Sequence, residues 1–447
     1  MLKRQRRAWY FYDFANSSFS ATVITVFLGP YLTEIARNSA DANGNVALFG
    51  LNVPADSLYP WAISASVIVQ VFTFPLVGAI ADHMRNRAVL LGVFAYAGSL
   101  ATMALYLVGP NGYVLGAVLL VFANVAFGAS IVVYNAFLPD IAGPNERDEV
   151  SSRGWAFGFL GGGILLIFNL VLYLQAESFG VAQDQAVRIS LLSAGAWWAL
   201  WSIIPITGLR KVRNPGLVDD SLSELPTTTW TSAVGARLGE LWQTAKEARK
   251  YPQTLKFLAA FLLYNDGIQT VIALSGTYAL LELSLAESEI VGAVMVVQFT
   301  AVFGALALGY LAGKVGSSRV ILGSLVVWVI ALVIAYYTPA GAPIAFAAVA
   351  GLIGFVLGGS QALSRSLFSQ MIPRDKEAQY FGVFEIANRG TAWIGTAVFG
   401  IGIALTGSYR TSILVLVVFF ILGGLLLWRT NIRAAIAEVG NPQPEKV

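Results

Sequence analysis

The chain has 447 residues, of which 57% are hydrophobic and only 12% are charged. A soluble globular chain carries about 25% charged residues, so this composition excludes a protein whose whole surface faces water. The net charge of +3 does not suggest a nucleic-acid partner, the lack of cysteine excludes disulfides and thiol chemistry, and the single His83 excludes a histidine-rich metal site.

Twelve apolar runs follow one another along the chain. A membrane-spanning helix needs about 20 mainly apolar residues, and each run is long enough. The predicted helices are 9–36, 59–81, 88–108, 113–138, 153–175, 188–209, 253–281, 287–312, 319–338, 343–370, 378–407 and 409–429. The pattern predicts an all-α integral membrane protein with an N-terminal six-helix bundle (1–209), a linker (210–252), a C-terminal six-helix bundle (253–429) and a tail (430–447).

Basic residues are distributed unevenly between the two sides of this arrangement. Of the 28 Lys and Arg residues, 23 lie on the side of the termini, while the opposite loops contain only Arg37, Arg188 and Arg410. Loops rich in Lys and Arg stay inside the cell, so we expect both termini and the linker to be cytoplasmic. We expect the protein itself to lie in the cell (inner) membrane. The first run is too long for a cleavable signal peptide, and we interpret it as the first span.

The linker contains a stretch, 233–250, in which apolar and charged side chains alternate at helical spacing. Leu238, Leu241 and Trp242 alternate there with basic and acidic residues. This pattern is typical of an amphipathic helix on the membrane surface. An ordinary connecting helix is the alternative, and a folded catalytic domain does not fit in so short a segment.

Two turns, 78–87 and 309–319, resemble each other and lie 231 residues apart. Each begins with a glycine, ends with an arginine and separates two spans. Further pairs have nearly the same separation, including Pro144 with Pro373 and Gln70 with Gln298. The order and orientation of the spans agree, which predicts two parallel, pseudo-symmetric bundles as in secondary transporters.

Over essentially its whole length the chain resembles transporters of the major facilitator superfamily. The block Gly78…Asp82…Arg85…Arg87 matches the signature that follows the second span in that superfamily. Three segments resemble the vacuolar amino-acid effluxer-like branch: WYFYDFANS at 9–17, SSRG followed by GGG at 151–163, and YNDG at 264–267. The resemblance implies the major facilitator fold, and amino acids or similar small polar solutes as cargo.

The repeated turns supply a candidate cytoplasmic latch, made of Gly78, Asp82, Arg85, Arg87, Gly309, Lys314 and Arg319. Asp82 lies near the C-terminal end of a helix, where the helix dipole disfavours a negative charge, so we expect it to need cationic partners. The resemblance implies that the start of the eleventh span is one partner, and that the latch is closed when the cavity faces outward. Alternatively, Arg85 and Arg87 merely hold the turn in the cytoplasm.

Asp266 is the leading candidate for a coupling or binding residue. It lies about halfway along the seventh span beside Asn265 and Gln269, and Tyr264 precedes them. A charged Asp at the centre of a span costs about 3 kcal/mol even on translocon scales, so a carboxylate there indicates function. We expect Asp266 to exchange protons or to bind an amine on the solute. A purely structural hydrogen-bonding role is the alternative.

Further polar residues within the spans are candidates for the same site. Asp13 and Asn16 share a face of the first span, and their position suits a gate. Glu385 and Arg389 have the spacing of an intrahelical ion pair, for which structural and switching roles are both open. Arg365 has the geometry to bind a carboxylate, or it extends to the membrane interface.

No pattern predicts an enzyme, a metal site or a cofactor, and no ATP-binding loop is present. We therefore predict a secondary active transporter that is coupled to protons and moves a small polar solute by alternating access. Its partners are the solute, protons and the lipid bilayer, and we expect a monomer. The alternatives are a channel or non-transporting receptor on the same fold, an exporter of amphipathic compounds, and a membrane-embedded enzyme.

Overall fold

In a computed structural model, residues 2–212, 247, 249–389 and 392–447 are described. The N-terminal half contains α1 (Leu2–Ser18), α2 (Leu28–Asn38), α3 (Leu58–His83), α4 (Arg87–Ala104), α5 (Tyr113–Asn135), α6 (Leu138–Ile141), α7 (Arg147–Leu174) and α8 (Gln183–Leu209). Between α1 and α2 the segment Phe19–Phe27 is a π-helix, so Leu2–Asn38 forms one continuous helical span.

The C-terminal half contains α9 (Pro252–Leu281), α10 (Glu287–Val315), α11 (Ser317–Tyr337), α12 (Pro343–Gln370), α13 (Glu377–Arg389), α14 (Ala392–Thr406), α15 (Tyr409–Val415), α16 (Val417–Trp428) and α17 (Ile432–Glu438). Among the described residues, 11 helices are long and apolar enough to cross a membrane. The predicted eleventh span, 378–407, corresponds to α13 and α14, and residues 390–391 between them lie outside the described residues. Most of the predicted linker helix, 233–250, also lies outside them.

The membrane-spanning α-helical fold was predicted, but the segment after the first span also contains a small sheet. Strands β1 (Asn45–Leu48) and β2 (Leu51–Pro54) form an antiparallel hairpin. Phe49 and Gly50 at its tip have positive φ angles of 49° and 85°, as two-residue hairpin turns require. The hairpin therefore follows from turn geometry that our hydrophobicity analysis did not consider.

Glycine allows the spanning helices to approach closely. In α7, a Cβ at Gly161 would overlap the carbonyl oxygen of Phe14 in α1. In α12, a Cβ at Gly358 would overlap the carbonyl oxygen of Ala301 in α10. Small residues at such crossings permit the backbone packing that drives helix association in lipid.

The two halves of the chain contact each other mainly through five of their helices. Helix α7 packs against α10 and α12, and α3 packs against α13. The end of α3 and the start of α13 lie at the same end of the bundle as the start of α7 and the end of α12, because these helices alternate in direction. We call this end, which carries the turns 84–86, 143–146, 316 and 371–376, the closed end.

Candidate functional site

Arg87 is the centre of a buried charge cluster at the closed end. Its side chain, only 2% exposed, forms ion pairs with Asp82 at 3.1 Å, Asp140 at 3.2 Å and Glu377 at 3.4 Å. Asp82, Asp140 and Arg87 belong to the N-terminal half, whereas Glu377 begins α13 in the C-terminal half. One guanidinium thus connects three helices of one half to the other half.

Asp82 also binds the beginning of α13 directly. Its carboxylate oxygens accept hydrogen bonds from the backbone N–H groups of Ala378 at 2.9 Å and Gln379 at 3.0 Å. The first N–H groups of a helix have no partner within the helix and favour an anion. Gly78 allows this approach, because a Cβ there would overlap the carbonyl oxygen of Ala378.

Three other residues of the predicted latch are exposed. Arg85 is exposed. Lys314 is also exposed, with its ammonium 4.3 Å from the centre of the Tyr310 ring. The exposed Arg319 donates to the carbonyl oxygen of Val315 at 3.0 Å. The cluster also contains Asp140 and Glu377, two acids that the repeated turns did not indicate.

The second turn has its own contact between the halves, of a different chemistry. A Cβ at Gly309 would overlap the hydroxyl of Ser152 in α7. The hydroxyl of Ser317, at the start of α11, donates to the carboxylate of Asp148 in α7 at 2.6 Å. The carboxylate at this second contact comes from the opposite half, which explains why the turn itself contains none.

Arg365 is buried between the two halves, with 4% of its surface exposed. Its guanidinium contacts the Asp13 carboxylate at 3.3 Å, the Ser151 hydroxyl at 2.9 Å and the Asn135 side-chain oxygen at 3.3 Å. The alternative in which Arg365 extends to the membrane interface is therefore wrong. The guanidinium instead donates hydrogen bonds to three residues of the opposite half.

Aromatic rings surround the same guanidinium. Its central carbon lies 4.7 Å from the centre of the Trp9 ring, 5.5 Å from that of Tyr134 and 5.6 Å from that of Trp155. Tyr134 also donates to the Asp13 carboxylate at 2.7 Å. Exclusion of water by these rings strengthens both the ion pair and the cation–π contacts.

A second polar connection crosses between the halves. The amide of Asn135 donates to Glu385 at 3.0 Å. Glu385 is also paired with Arg389 at 3.3 Å, which is the intrahelical pair that the spacing predicted. The Arg389 guanidinium lies 4.7 Å from the centre of the Phe127 ring in α5. Asn135 therefore links the Arg365 cluster to the Glu385–Arg389 pair.

Helix α9 joins this network through Asn265. Its amide donates to the carbonyl oxygen of Asn388 at 2.9 Å and accepts from Gln361 at 2.8 Å. Tyr264 and Ser364 share a hydrogen bond of 2.6 Å. Because Tyr264 is only 1% exposed, its hydroxyl is part of the helix packing.

Asp266 has a different environment from the other buried charges. It is 1% exposed, and within the described part of the chain neither carboxylate oxygen has a partner with hydrogen-bond geometry. A Cβ at Gly395 in α14 would lie 3.0 Å from Asp266 Oδ2. Thr270, one turn further along α9, also has an unpartnered hydroxyl among the described residues. Asn16 is buried and Gln269 is half-buried.

The family model described as "Vacuole effluxer Atg22 like" matches residues 1–440. The chain belongs to this Atg22-like family. A relative from Bacillus subtilis (strain 168), "Uncharacterized MFS-type transporter YxiO", is 28% identical over 437 residues, which cover 96% of this chain and 95% of that protein. "Autophagy-related protein 22-1" from Aspergillus clavatus is 24% identical over 544 residues, covering 96% and 88%.

The fold of this Atg22-like chain is similar to that of solved major facilitator transporters. The proton:xylose symporter XylE has a TM-score of 0.67 and 13% identity, with 96% of this chain and 95% of that chain covered. The predicted family and fold class are thus confirmed. The chain is a multi-pass membrane transporter of the major facilitator superfamily and not an enzyme.

Several charged residues between the halves of this Atg22-like transporter were not predicted from the sequence. Asp140, Arg147 and Glu377 lie at span ends, where charged residues are common and usually face water. Arg147 is 1% exposed and donates to the carbonyl oxygen of Ser369 across the halves at 2.8 Å. The position of Glu377 in the first turn of a span is the one available signal, because helix starts favour acids.

Two ion pairs outside the spans also lie at the closed end. The Arg6 guanidinium donates to Glu146 at 2.9 and 2.6 Å, and this hydrogen bonding holds the pKa of Glu146 below its ordinary value. Lys376 donates to Glu247 at 2.5 Å and likewise lowers the pKa of that carboxyl. Both acids are therefore ionised near neutral pH and keep their partners there.

Proposed function

We propose that this transporter moves a small polar solute, such as an amino acid, in exchange for or together with protons. It lies in the cell membrane with both termini in the cytoplasm, as the distribution of Lys and Arg favours. The closed end is then the cytoplasmic end, and the structure represents an outward-facing state. Most of the hydrogen bonds and ion pairs between the halves described above lie toward that end, which supports this assignment.

The observation that carries the proposal is the buried ion pair between Asp13 and Arg365. These residues are 8% and 4% exposed and belong to opposite halves. Inward opening must separate them. Removing one partner of a buried pair leaves an uncompensated charge and costs several kcal/mol. Protonation of Asp13 neutralises one partner, lowers the cost of separation and so couples a proton to the change of state.

Opposite charges near the centre of the bundle suit a zwitterionic solute. Asp266 supplies a carboxylate that has no charged partner among the described residues. Arg389 is paired through Nε while its side chain remains 22% exposed. The bond from Asn265 to Asn388 holds the neighbouring turns of α9 and α13 together. We assign Asp266 to the solute amine or to a second proton, and Arg389 to a solute carboxylate.

The test is solute flux into proteoliposomes that contain the purified protein. A panel of radiolabelled amino acids is offered with and without an imposed pH gradient, and counterflow is measured for any that enter. The proposal expects saturable uptake that the gradient raises and a protonophore abolishes. Flux without saturation would indicate a channel. Absence of flux for the whole panel would contradict the proposed solute class.

A further inference from the structure

The segment 439–447, which we call the strap, crosses the closed end after α17. Helix α17 itself is anchored in the C-terminal half, because Ile432, Ala435 and Ile436 are buried and α17 packs against α9. The preceding Asn431 donates its backbone N–H to the side chain of Gln253 at 3.0 Å. The strap therefore begins from a fixed point in one half.

Asn441 fixes the first part of the strap to the end of α12. Its side chain is buried, and its amide donates to the carbonyl oxygens of Gln370 at 2.9 Å and Ile372 at 2.8 Å. Carbonyl groups at a helix end lack partners within the helix. One amide that satisfies two of them gives the strap a defined path across this end of the bundle.

The last residues of the strap reach the N-terminal half. The backbone N–H of Glu445 donates to the side-chain oxygen of Asn145 at 2.8 Å. Asn145 lies in the turn before α7. The ammonium of Lys446 donates to the carbonyl oxygen of Lys314 at 2.6 Å, at the end of α10. The strap thus contacts both halves where the bundle is closed.

Gly316 forms the seat of the strap. It has a φ of +100°, and a Cβ there would overlap the backbone of Val447. In the repeated turns, Gly316 occupies the position that corresponds to Arg85 in the first turn. A side chain at 316 would displace the strap, so the strap in this position requires a glycine where the first turn has an arginine.

We propose that the strap is a second latch, which holds the closed end shut and must leave Asn145 before the halves separate. At the second turn the strap joins the two halves, as Asp82 and Arg87 do at the first turn. This inference goes beyond the proposed solute and its coupling, because it concerns the equilibrium between the two states of the transporter. Removal of the strap shifts that equilibrium toward opening at this end.

The first experiment uses the natural absence of cysteine. A single reporter, Ser369→Cys, is placed at a buried position between the halves, and its rate of maleimide labelling is measured in nanodiscs. Among the described contacts of the strap, the bond from Glu445 to Asn145 is the hydrogen bond that crosses between the halves. Loss of this one bond predicts labelling about fivefold faster when residues 440–447 are removed. Asn145→Ala should give a smaller increase in the same direction.

Gln443→Ala is the matched control and should leave labelling unchanged. Gln443 donates to the carbonyl oxygen of Arg433 at 2.8 Å, which is a bond within the same half and its one side-chain bond among the described residues. Unchanged labelling in both the truncated chain and Asn145→Ala would overturn the proposal.

The second experiment locks the strap. A short thiol crosslinker joins Asn145→Cys to Glu445→Cys, and the Ser369 reporter is replaced by spin labels or fluorophores at the closed end. The crosslinked protein should remain closed at this end and regain opening when a cleavable linker is cut. Opening that persists with the crosslink intact would show that the strap need not leave Asn145, contrary to the proposal. Neither experiment depends on knowing the solute.

Discussion

At the scale of single residues, the buried Arg365 depends on its partners in the opposite half. It pairs with Asp13, 352 positions away in the sequence, in a region from which water is largely excluded. A buried ion pair adds little to stability by itself, because desolvation offsets the attraction. Loss of one partner is costly, since the other charge remains buried without compensation.

We therefore predict that Arg365→Met lowers the free energy of unfolding by about 3 kcal/mol. Arg410→Met is the matched control, because Arg410 pairs with Glu282 at 2.7 Å while both side chains remain about one quarter exposed. A partly exposed pair of this kind contributes about 1 kcal/mol or less. Thermal unfolding in detergent measures both variants.

A double variant separates the ion pair from simple loss of packing. Asp13→Asn combined with Arg365→Met removes both charges, so it should be more stable than Arg365→Met alone. Equal destabilisation by Arg365→Met and Arg410→Met, with no recovery in the double variant, would mean that the buried pair has no special role.

Asp266→Asn tests the carboxylate of α9. The amide has nearly the same shape but neither takes up a proton nor balances an amine. We expect gradient-driven accumulation to fall to simple equilibration, while exchange of solute across the membrane continues. Asp184→Asn is the control, because Asp184 is half-exposed and paired with Arg188 at 2.9 Å. Normal accumulation by Asp266→Asn in the proteoliposome assay would remove this residue from coupling.

The sequence indicated most of these residues but few of their partners. Charges in the middle of spans were identifiable because burial of a charge is expensive. The pairing of Arg365 with Asp13, and of Asn135 with Glu385, depends on how the two halves meet, which local spacing does not contain. Glu385 and Arg389 were predictable as a pair only because they lie one turn apart on one helix.

At the scale of elements, the contact between α3 and α13 closes one end of the bundle. Gly78 has no space for a Cβ beside Ala378. Gly78→Ala should therefore push these helices apart, at a cost of about 1–3 kcal/mol typical of overpacking, and raise maleimide labelling of the Ser369→Cys reporter.

Gly313→Ala is the matched control, because it lies near the same end and a Cβ there meets nothing within 4 Å. Both substitutions add the same methyl group to a helix. If Gly313→Ala raised labelling as much as Gly78→Ala, the effect would come from the methyl group and not from the contact between the halves.

Hydrophobicity predicted the order of the long helices because lipid imposes their length. Twelve spans were predicted, and 11 are found among the described residues. It did not predict the π-helix Phe19–Phe27 or the division of the last span into α15 and α16. Both depend on backbone hydrogen bonding, which is nearly independent of hydrophobicity. Helix α7 begins at Arg147, six residues before the predicted start at 153, because the acids Asp148 and Glu149 are accommodated in its first turn.

At the scale of the whole molecule, the two repeated turns lie at the same end of the bundle but hold the halves together by different contacts. At the first turn, Asp82 and Arg87 bind the start of α13. At the second, Asp148 binds Ser317 and the strap lies against Gly316. The duplication was readable from the sequence, but the replacement of charges by a distant segment was not, because the strap and its seat are more than 120 residues apart.

The central claim is that the two halves move relative to each other and open the closed end. Spin labels at Arg4→Cys and Arg319→Cys, both exposed, report on this end, and labels at Glu177→Cys and Ala340→Cys report on the opposite end. Electron–electron double resonance in nanodiscs gives both distances, at neutral and acidic pH, with and without a solute that shows counterflow. We predict that solute lengthens the first distance and shortens the second. Two distances that remain fixed during measurable flux would contradict alternating access.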